Sequence, residues 1–88
     1  MIVSIDISYY PLTADYEPPI IDFIHRLRAV PGLEVATNEL ATQVRGEYRT
    51  VMNGLRDAME PSLRDGPTAG FVVKILNVDV TPGGKVTL

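Results

Sequence analysis

The chain has 88 residues, of which 45% are hydrophobic, with a formal net charge of −3 and no cysteine. This length and composition indicate one globular domain, and the lack of cysteine excludes disulfides, thiolate catalysis and cysteine-based metal sites. The acidic balance argues against nucleic acid as a partner, because a protein that binds a phosphate backbone needs a basic face.

The first predicted element is a half-buried strand that covers residues 2–10. Apolar and polar side chains alternate along it, and a period of two is that of a strand with one buried face. Pro11 ends its hydrogen-bond ladder because proline has no N–H group to donate. The inward row consists of apolar and aromatic side chains: Val3, Ile5, Ile7 and Tyr9.

An amphipathic helix is predicted to follow this strand. Pro18 and Pro19 suit its first turn, where a missing N–H group costs little. Apolar residues then recur at helical spacing until Pro31-Gly32 stops the helix. The apolar stripe consists of Ile20, Phe23, Ile24, Leu27 and Val30.

A β-hairpin is predicted next, with Asn38-Glu39 as a two-residue turn. A longer loop is the alternative, because glutamate tolerates positive φ poorly. The two-residue turn places six residues on the inward face, as the cross-strand pairs Thr37–Leu40, Val35–Thr42 and Leu33–Val44.

The inward row of the second hairpin strand consists of Leu40, Thr42 and Val44, and Thr42 is its one residue with a hydroxyl group. A buried hydroxyl without a hydrogen-bond partner costs roughly 1–3 kcal/mol. Thr42 is therefore either a satisfied structural group or a polar group of a ligand pocket.

A second amphipathic helix is predicted from Tyr48 to Met59, and a long β-prone run from Gly70 to Val80. Gly54 inside the helix costs about 1 kcal/mol relative to alanine unless it permits close packing. Pro61 is expected to end or kink this helix. Residues 81–88 are predicted to form a C-terminal tail or an added edge strand, beyond a ligand-binding domain at residues 1–80.

The predicted order is β-α-β-β-α-β. With right-handed crossovers it gives an α+β ferredoxin-like sandwich, in which two helices cover one face of a four-stranded antiparallel sheet. The helix-free face is too apolar to be fully wetted, so we expect a homodimer through this face. Its apolar residues are Ile2, Tyr10, Ala36, Ala41, Val72 and Leu76.

Two short segments resemble motifs of the YkoF-like family. Ser8-Tyr9-Tyr10-Pro11 is similar to that family's S-x-Y-P segment, and Thr37–Gly46 is similar to its T-[DN]-x-x-x-T-x-x-R-G hairpin motif. The resemblance implies binding of thiamine or its hydroxymethylpyrimidine moiety between the sheet and the helices. It also implies that Tyr9 and Thr42 contact the ligand. The family's namesake carries two such domains in tandem, so a homodimer would take the place of the tandem here.

An aminopyrimidine needs a largely apolar pocket with a few polar groups aimed at its amine and ring nitrogens. Thr42 can donate or accept, Tyr9 can stack or donate, and Asn38 offers both a donor and an acceptor from the hairpin tip. These three residues form the predicted site. The predicted walls come from the inward rows: Val3, Ile5, Ile7, Val35, Leu40 and Val44.

No catalytic or metal site and no cofactor are predicted. His25 has no second ligand one helical turn away, and the inward rows carry no acid or base. Two alternatives to a non-enzymatic binding protein stay open: an oligomerisation module with a filled pocket, and a cofactor-free dimeric enzyme of the same fold. No segment reaches the ~20 apolar residues of a membrane span, and the first residues do not resemble a signal peptide. We therefore expect a cytoplasmic protein without a membrane partner.

Overall fold

The computed structural model describes all 88 residues, which form four strands and two helices. The strands occur in the sheet order β2-β3-β1-β4 and every neighbouring pair is antiparallel. This arrangement confirms the predicted ferredoxin-like fold. The elements are β1 (Ile2–Pro11), α1 (Glu17–Arg28), β2 (Glu34–Thr37), β3 (Thr42–Glu47), α2 (Tyr48–Asp65) and β4 (Ala69–Leu76).

The core lies between the helices and the inward face of β1, the strand that pairs with both β3 and β4. The predicted inward row of β1 is buried along its whole length, from Val3 to Tyr9. At the Tyr9 end the core is aromatic, because the Tyr9 ring stacks on Phe71 at 4.4 Å and meets Phe23 edge-on. The other buried core side chains are Val44 of β3 and five from the helices: Phe23, Leu27, Val51, Leu55 and Ala58.

The hairpin turn is longer than the predicted Asn38-Glu39 turn. Thr37 pairs with Thr42, and Val35 pairs with Val44, so four residues form the loop. The predicted pairing is wrong by two residues, an even shift that leaves each strand residue on its predicted face. Leu40 is the exception, because it lies in the loop and is 88% exposed rather than inward.

The helix α2 does not end at Pro61, which corrects one of the two expectations for that residue. Contacts from α1 hold the turn around the proline. The Arg26 guanidinium donates from Nε to the Ala58 carbonyl at 3.0 Å and from Nη2 to the Ser62 hydroxyl. The helix ends at Asp65, where the Gly66 N–H group donates to the Ser62 carbonyl at 3.2 Å.

The chain after β4 crosses the helix-free face of the sheet. β4 ends at Leu76, four residues before the predicted end at Val80. The buried Ser4 hydroxyl donates to the Val78 carbonyl at 2.7 Å and accepts from the Val80 N–H group at 3.1 Å. Residues 81–88 form no strand in this structure.

Two polar side chains of β3 also bind this crossing segment. The Arg45 guanidinium forms an ion pair with Asp79, and its hydrogen bond lowers the pKa of that carboxyl. The Gln43 amide oxygen accepts from the Gly83 N–H group at 2.7 Å. The segment therefore lies over β1 and β3, while Tyr10, Val72 and Leu76 on the same face stay exposed.

Gly54 in α2 permits close packing, the exception that the sequence left open. A β carbon at this position would lie 2.9 Å from Cγ1 of Val30 and 3.3 Å from Cδ2 of Leu33. Val30 is β-branched and cannot rotate away freely. The glycine thus lets α2 approach the connection between α1 and β2.

We expect Gly54→Ala to lower the free energy of unfolding by about 1 kcal/mol, because overpacking outweighs the gain in helix propensity. Gly70→Ala is the matched control, since no atom lies within 4 Å of a β carbon at Gly70. Urea unfolding of both variants measures the difference. Equal or greater stability of Gly54→Ala would show that the close approach is not a constraint.

Glu47 caps the N-terminus of α2. Its carboxylate accepts from the N–H groups of Arg49 at 2.9 Å and Thr50 at 3.2 Å, which satisfies two otherwise free donors of the first turn. The bond from Thr50, and with it the bond from Arg49, lowers the pKa of Glu47 below its ordinary value.

A lowered folded-state pKa means that the cap stabilises the protein fully above the unfolded pKa of about 4.3. That contribution is lost as the pH falls through the lower folded value. We expect Glu47→Ala to lower the melting temperature at pH 7, and the difference from wild type to shrink toward pH 3. Asp15→Asn, which removes an exposed carboxylate without hydrogen bonds, should show no such dependence. A pH-independent difference for Glu47→Ala would contradict the capping role.

Candidate functional site

A cleft of about 80 Å³ opens between α1 and the hairpin loop, beside the end of β1. Tyr9, Asn38 and Thr42, the three residues of the predicted site, all line it. The fold brings them together because β1 and β3 are antiparallel neighbours. The end of β1 therefore meets the start of β3, where the hairpin loop enters the strand.

The Thr42 hydroxyl is hydrogen-bonded to another threonine rather than to its own backbone. Its Oγ1 lies 2.9 Å from Oγ1 of Thr37, directly across the strand pair, and Thr42 is only 5% exposed. The Thr37 hydroxyl lies 3.3 Å from the Ala41 carbonyl, to which it donates. Each hydroxyl has one proton, so Thr42 then donates to Thr37. The Thr42 hydroxyl, which lines the cleft, then accepts no hydrogen bond from the protein.

Asn38 shapes the loop. Its side-chain oxygen accepts from the N–H groups of Leu40 at 2.9 Å and Ala41 at 3.0 Å, and its own N–H group donates to the Ala41 carbonyl at 3.0 Å. This Asx-type turn uses the side-chain oxygen of Asn38, which was predicted to accept a hydrogen bond from a ligand. The side-chain NH₂ group remains a free donor at the edge of the cleft.

Tyr9 reaches the cleft with its ring but not with its hydroxyl. The ring is held by stacking on Phe71 and by the edge of Phe23. The hydroxyl lies on the other side of α1, 3.5 Å from the place that a β carbon of Gly66 would occupy. It is buried and has no hydrogen-bond partner.

The walls of the cleft differ from those predicted. Of the six predicted wall residues, only Ile7 and Leu40 line it, and Leu40 does so from the exposed loop. The remaining four do not line the cleft: Val3, Ile5, Val35 and Val44. The opposite wall is the apolar face of α1, formed by Ile20, Phe23 and Ile24.

Sequence reasoning missed Thr37, Glu39 and the α1 wall. The i, i+3, i+4 spacing of Ile20, Phe23 and Ile24 was visible in the sequence, but it did not show which strand end the helix covers. Glu39 lines the cleft from the loop. Its carboxylate provides a negative charge at the entrance, which favours a cationic or hydrogen-bond-donating ligand.

The cleft is smaller than a site that encloses a whole aromatic ring. A cavity of about 150 Å³ accommodates benzene, nearly twice the volume found here. A ring would therefore enter only in part unless the loop at residues 38–41 moved outward.

No group of three or more histidine, cysteine, aspartate or glutamate residues lies close enough to hold a metal ion. Neither helix combines the length and the apolar composition of a membrane-spanning segment.

No protein-family model and no curated protein matches this chain. Several solved structures share its fold. A protein from Streptococcus pneumoniae is 22% identical, with a TM-score of 0.80 over 91% of this chain and 90% of that one. A hypothetical protein from Methanocaldococcus jannascii is 21% identical, with a TM-score of 0.77 over 89% of this chain and 81% of that one.

A third structure is a provisionally assigned thiamine biosynthesis/salvage protein from Thermotoga maritima. It is 17% identical, with a TM-score of 0.75 over 85% of this chain and 82% of that chain. At identities below 25%, these likenesses establish the fold and do not transfer a function.

Proposed function

We propose that this protein is a non-enzymatic binding protein for thiamine or its hydroxymethylpyrimidine moiety, with the ligand in the cleft between α1 and the hairpin loop. The observation that carries the proposal is the buried Thr42 hydroxyl, which lines the cleft opposite the apolar face of α1 and accepts no hydrogen bond from the protein. The thiamine-related name of the Thermotoga maritima neighbour and the motif resemblance to the YkoF-like family support the same ligand class.

The polar groups of the cleft complement an aminopyrimidine. Thr42 Oγ1 accepts from the exocyclic amine, and the free NH₂ group of Asn38 donates to a ring nitrogen. The flat ring contacts Ile7, Phe23 and the Tyr9 ring. The Glu39 carboxylate at the entrance attracts the positive charge of a thiazolium or of a protonated pyrimidine.

Binding requires the loop at residues 38–41 to move outward, because the cleft is only about 80 Å³. The bond from the Thr37 hydroxyl to the Ala41 carbonyl holds the loop to the end of β2, and the largest side chain of the loop, Leu40, is 88% exposed. Displacing Leu40 therefore exposes little additional apolar surface, which keeps the cost of opening low.

We expect Thr42→Val to weaken the binding of hydroxymethylpyrimidine by about 1–2 kcal/mol, or roughly tenfold, because it removes one neutral hydrogen bond. Thr42→Ser keeps the hydroxyl and should restore most of the affinity. Isothermal titration calorimetry of wild type and both variants provides the measurement.

Thr68→Val is the control for a threonine-to-valine change, since Thr68 is exposed and only its backbone carbonyl is hydrogen-bonded. Equal affinity of wild type and Thr42→Val would remove Thr42 from the site. The absence of both heat and a melting shift at millimolar thiamine and hydroxymethylpyrimidine would refute the function.

A structural or regulatory oligomerisation module is the second candidate. The observation that favours it is the small volume of the cleft, which side chains already fill in large part. A cofactor-free enzyme has less support, because the ionisable side chains lining the cleft are only Tyr9 and Glu39. Glu39 is exposed in the loop and lacks the enclosed surroundings of a catalytic base.

We also propose that the protein forms a homodimer through the exposed part of the helix-free face. The segment after β4 covers the β1 and β3 side of that face, so the remaining contact surface is along β4. Tyr10, Val72 and Leu76 are 54%, 61% and 42% exposed there. Val72 and Leu76 lie on the edge strand β4 on either side of Lys74, and Tyr10 lies beside them on β1. Exposed apolar residues grouped at a sheet edge are typical of a surface that a second copy covers.

Val72→Lys should shift the protein toward the monomer, because it places a charge in the apolar contact. Leu63→Lys is the matched control, since Leu63 is 57% exposed on α2, away from this face. Sedimentation equilibrium of the three proteins measures the association constant. A wild-type monomer at all accessible concentrations, or equal association of both variants, would contradict this interface.

A further inference from the structure

A second recess, of about 250 Å³, lies on the opposite side of α1 from the cleft, between that helix and the end of α2. Its polar lining residues come from three elements: Tyr9 of β1, Asp22 and Arg26 of α1, and Ser62 and Asp65 of α2. Tyr9 lines both spaces, and its hydroxyl lies on the side of the second.

Arg26 in this recess is half-buried and forms no ion pair. Its Nε and Nη2 atoms donate to two neutral oxygens, the Ala58 carbonyl and the Ser62 hydroxyl. These bonds fix the guanidinium plane and leave Nη1 without a partner in the protein. A fixed, half-desolvated guanidinium with a free edge is suited to binding a planar anion.

The Tyr9 hydroxyl adds a second free hydrogen-bonding group. Tyr9 is only 8% exposed, and its hydroxyl has no partner in the protein. Buried hydroxyls are normally hydrogen-bonded to protein, to water or to a ligand. Because the Tyr9 hydroxyl is fully buried beside Gly66, contact from the recess requires the turn at Gly66 to move outward.

The two acidic residues differ in their availability. Asp65 is paired with Arg64, whose Nη2 lies 3.0 Å from its carboxylate. Asp22 has no hydrogen bond or ion pair and is exposed at the rim. With Asp65 paired to Arg64, the unpaired charges at the recess are Arg26 and the exposed Asp22. A doubly charged anion such as phosphate on Arg26 would be repelled by Asp22 about twice as strongly as a singly charged one.

We propose that this recess is a binding site for a small α-hydroxy or α-amino carboxylate. One carboxylate oxygen accepts from Nη1 of Arg26 and the other accepts from the Tyr9 hydroxyl. Asp22 accepts from the hydroxyl or ammonium group on the α carbon. The site is separate from the proposed pyrimidine cleft and does not depend on it.

The test is a titration followed by NMR at constant ionic strength, with the Gly66 backbone N–H resonance as the readout. Sodium lactate and L-alanine are the two probes, which distinguish a hydroxy acid from an amino acid. We expect a saturable shift with a midpoint in the millimolar range for at least one of them. Lactamide, which lacks the negative charge, should give no saturable shift.

Two variants connect the shift to this recess. Arg26→Gln should weaken binding by tenfold or more, because a hydrogen bond to a charged group is lost. Tyr9→Phe should weaken it about three- to tenfold, and it loses no hydrogen bond in the free protein, so it provides a test even if Arg26→Gln unfolds. Thr42→Val should leave the lactate curve unchanged, which separates this site from the pyrimidine cleft.

A linear response, or the same response to lactamide, would show adventitious binding only and overturn the proposal. Wild-type affinity of the Tyr9→Phe variant would likewise overturn it, because the carboxylate would then bind elsewhere. If the wild-type protein binds lactate but not hydroxymethylpyrimidine, the proposed function is refuted and the proposal for this recess stands.

Discussion

The alternating sequence of β1 is the constraint on which the rest of the structure depends. Its inward residues from Val3 to Tyr9 are buried along the whole strand, and both β3 and β4 take their register from it. The same alternation places Ser4 on the other face, where its hydroxyl holds the segment after β4. One central strand thus determines the core, the covered part of the helix-free face and the position of Tyr9.

Tyr9 lies near the end of the inward row, where the cleft and the recess flank α1. Its ring, fixed by Phe71 and Phe23, separates the cleft at the hairpin loop from the recess beside α2. The two spaces differ in chemistry because different elements line them. The cleft combines an apolar helix face with the Thr42 hydroxyl, whereas the recess contains a guanidinium and a buried phenol.

Sequence periodicity was sufficient for the fold, since strands and helices with one buried face repeat at different spacings. The Thr42 environment followed from the same argument, because the even register error kept the residue inward. The loop length did not follow, since the Asn38 side chain forms a turn of its own. The continuation of α2 past Pro61 depends on bonds from Arg26, a contact between residues distant in sequence that local propensity cannot reveal.

The central claim is that an aminopyrimidine binds in the cleft between α1 and the hairpin loop. The most direct measurement is a set of intermolecular nuclear Overhauser effects between hydroxymethylpyrimidine and the isotopically labelled protein. The account predicts contacts from the ligand's methyl group and ring proton to the side chains of Ile7, Phe23 and Thr42. Contacts confined to any other surface, or none at saturating ligand, would contradict it.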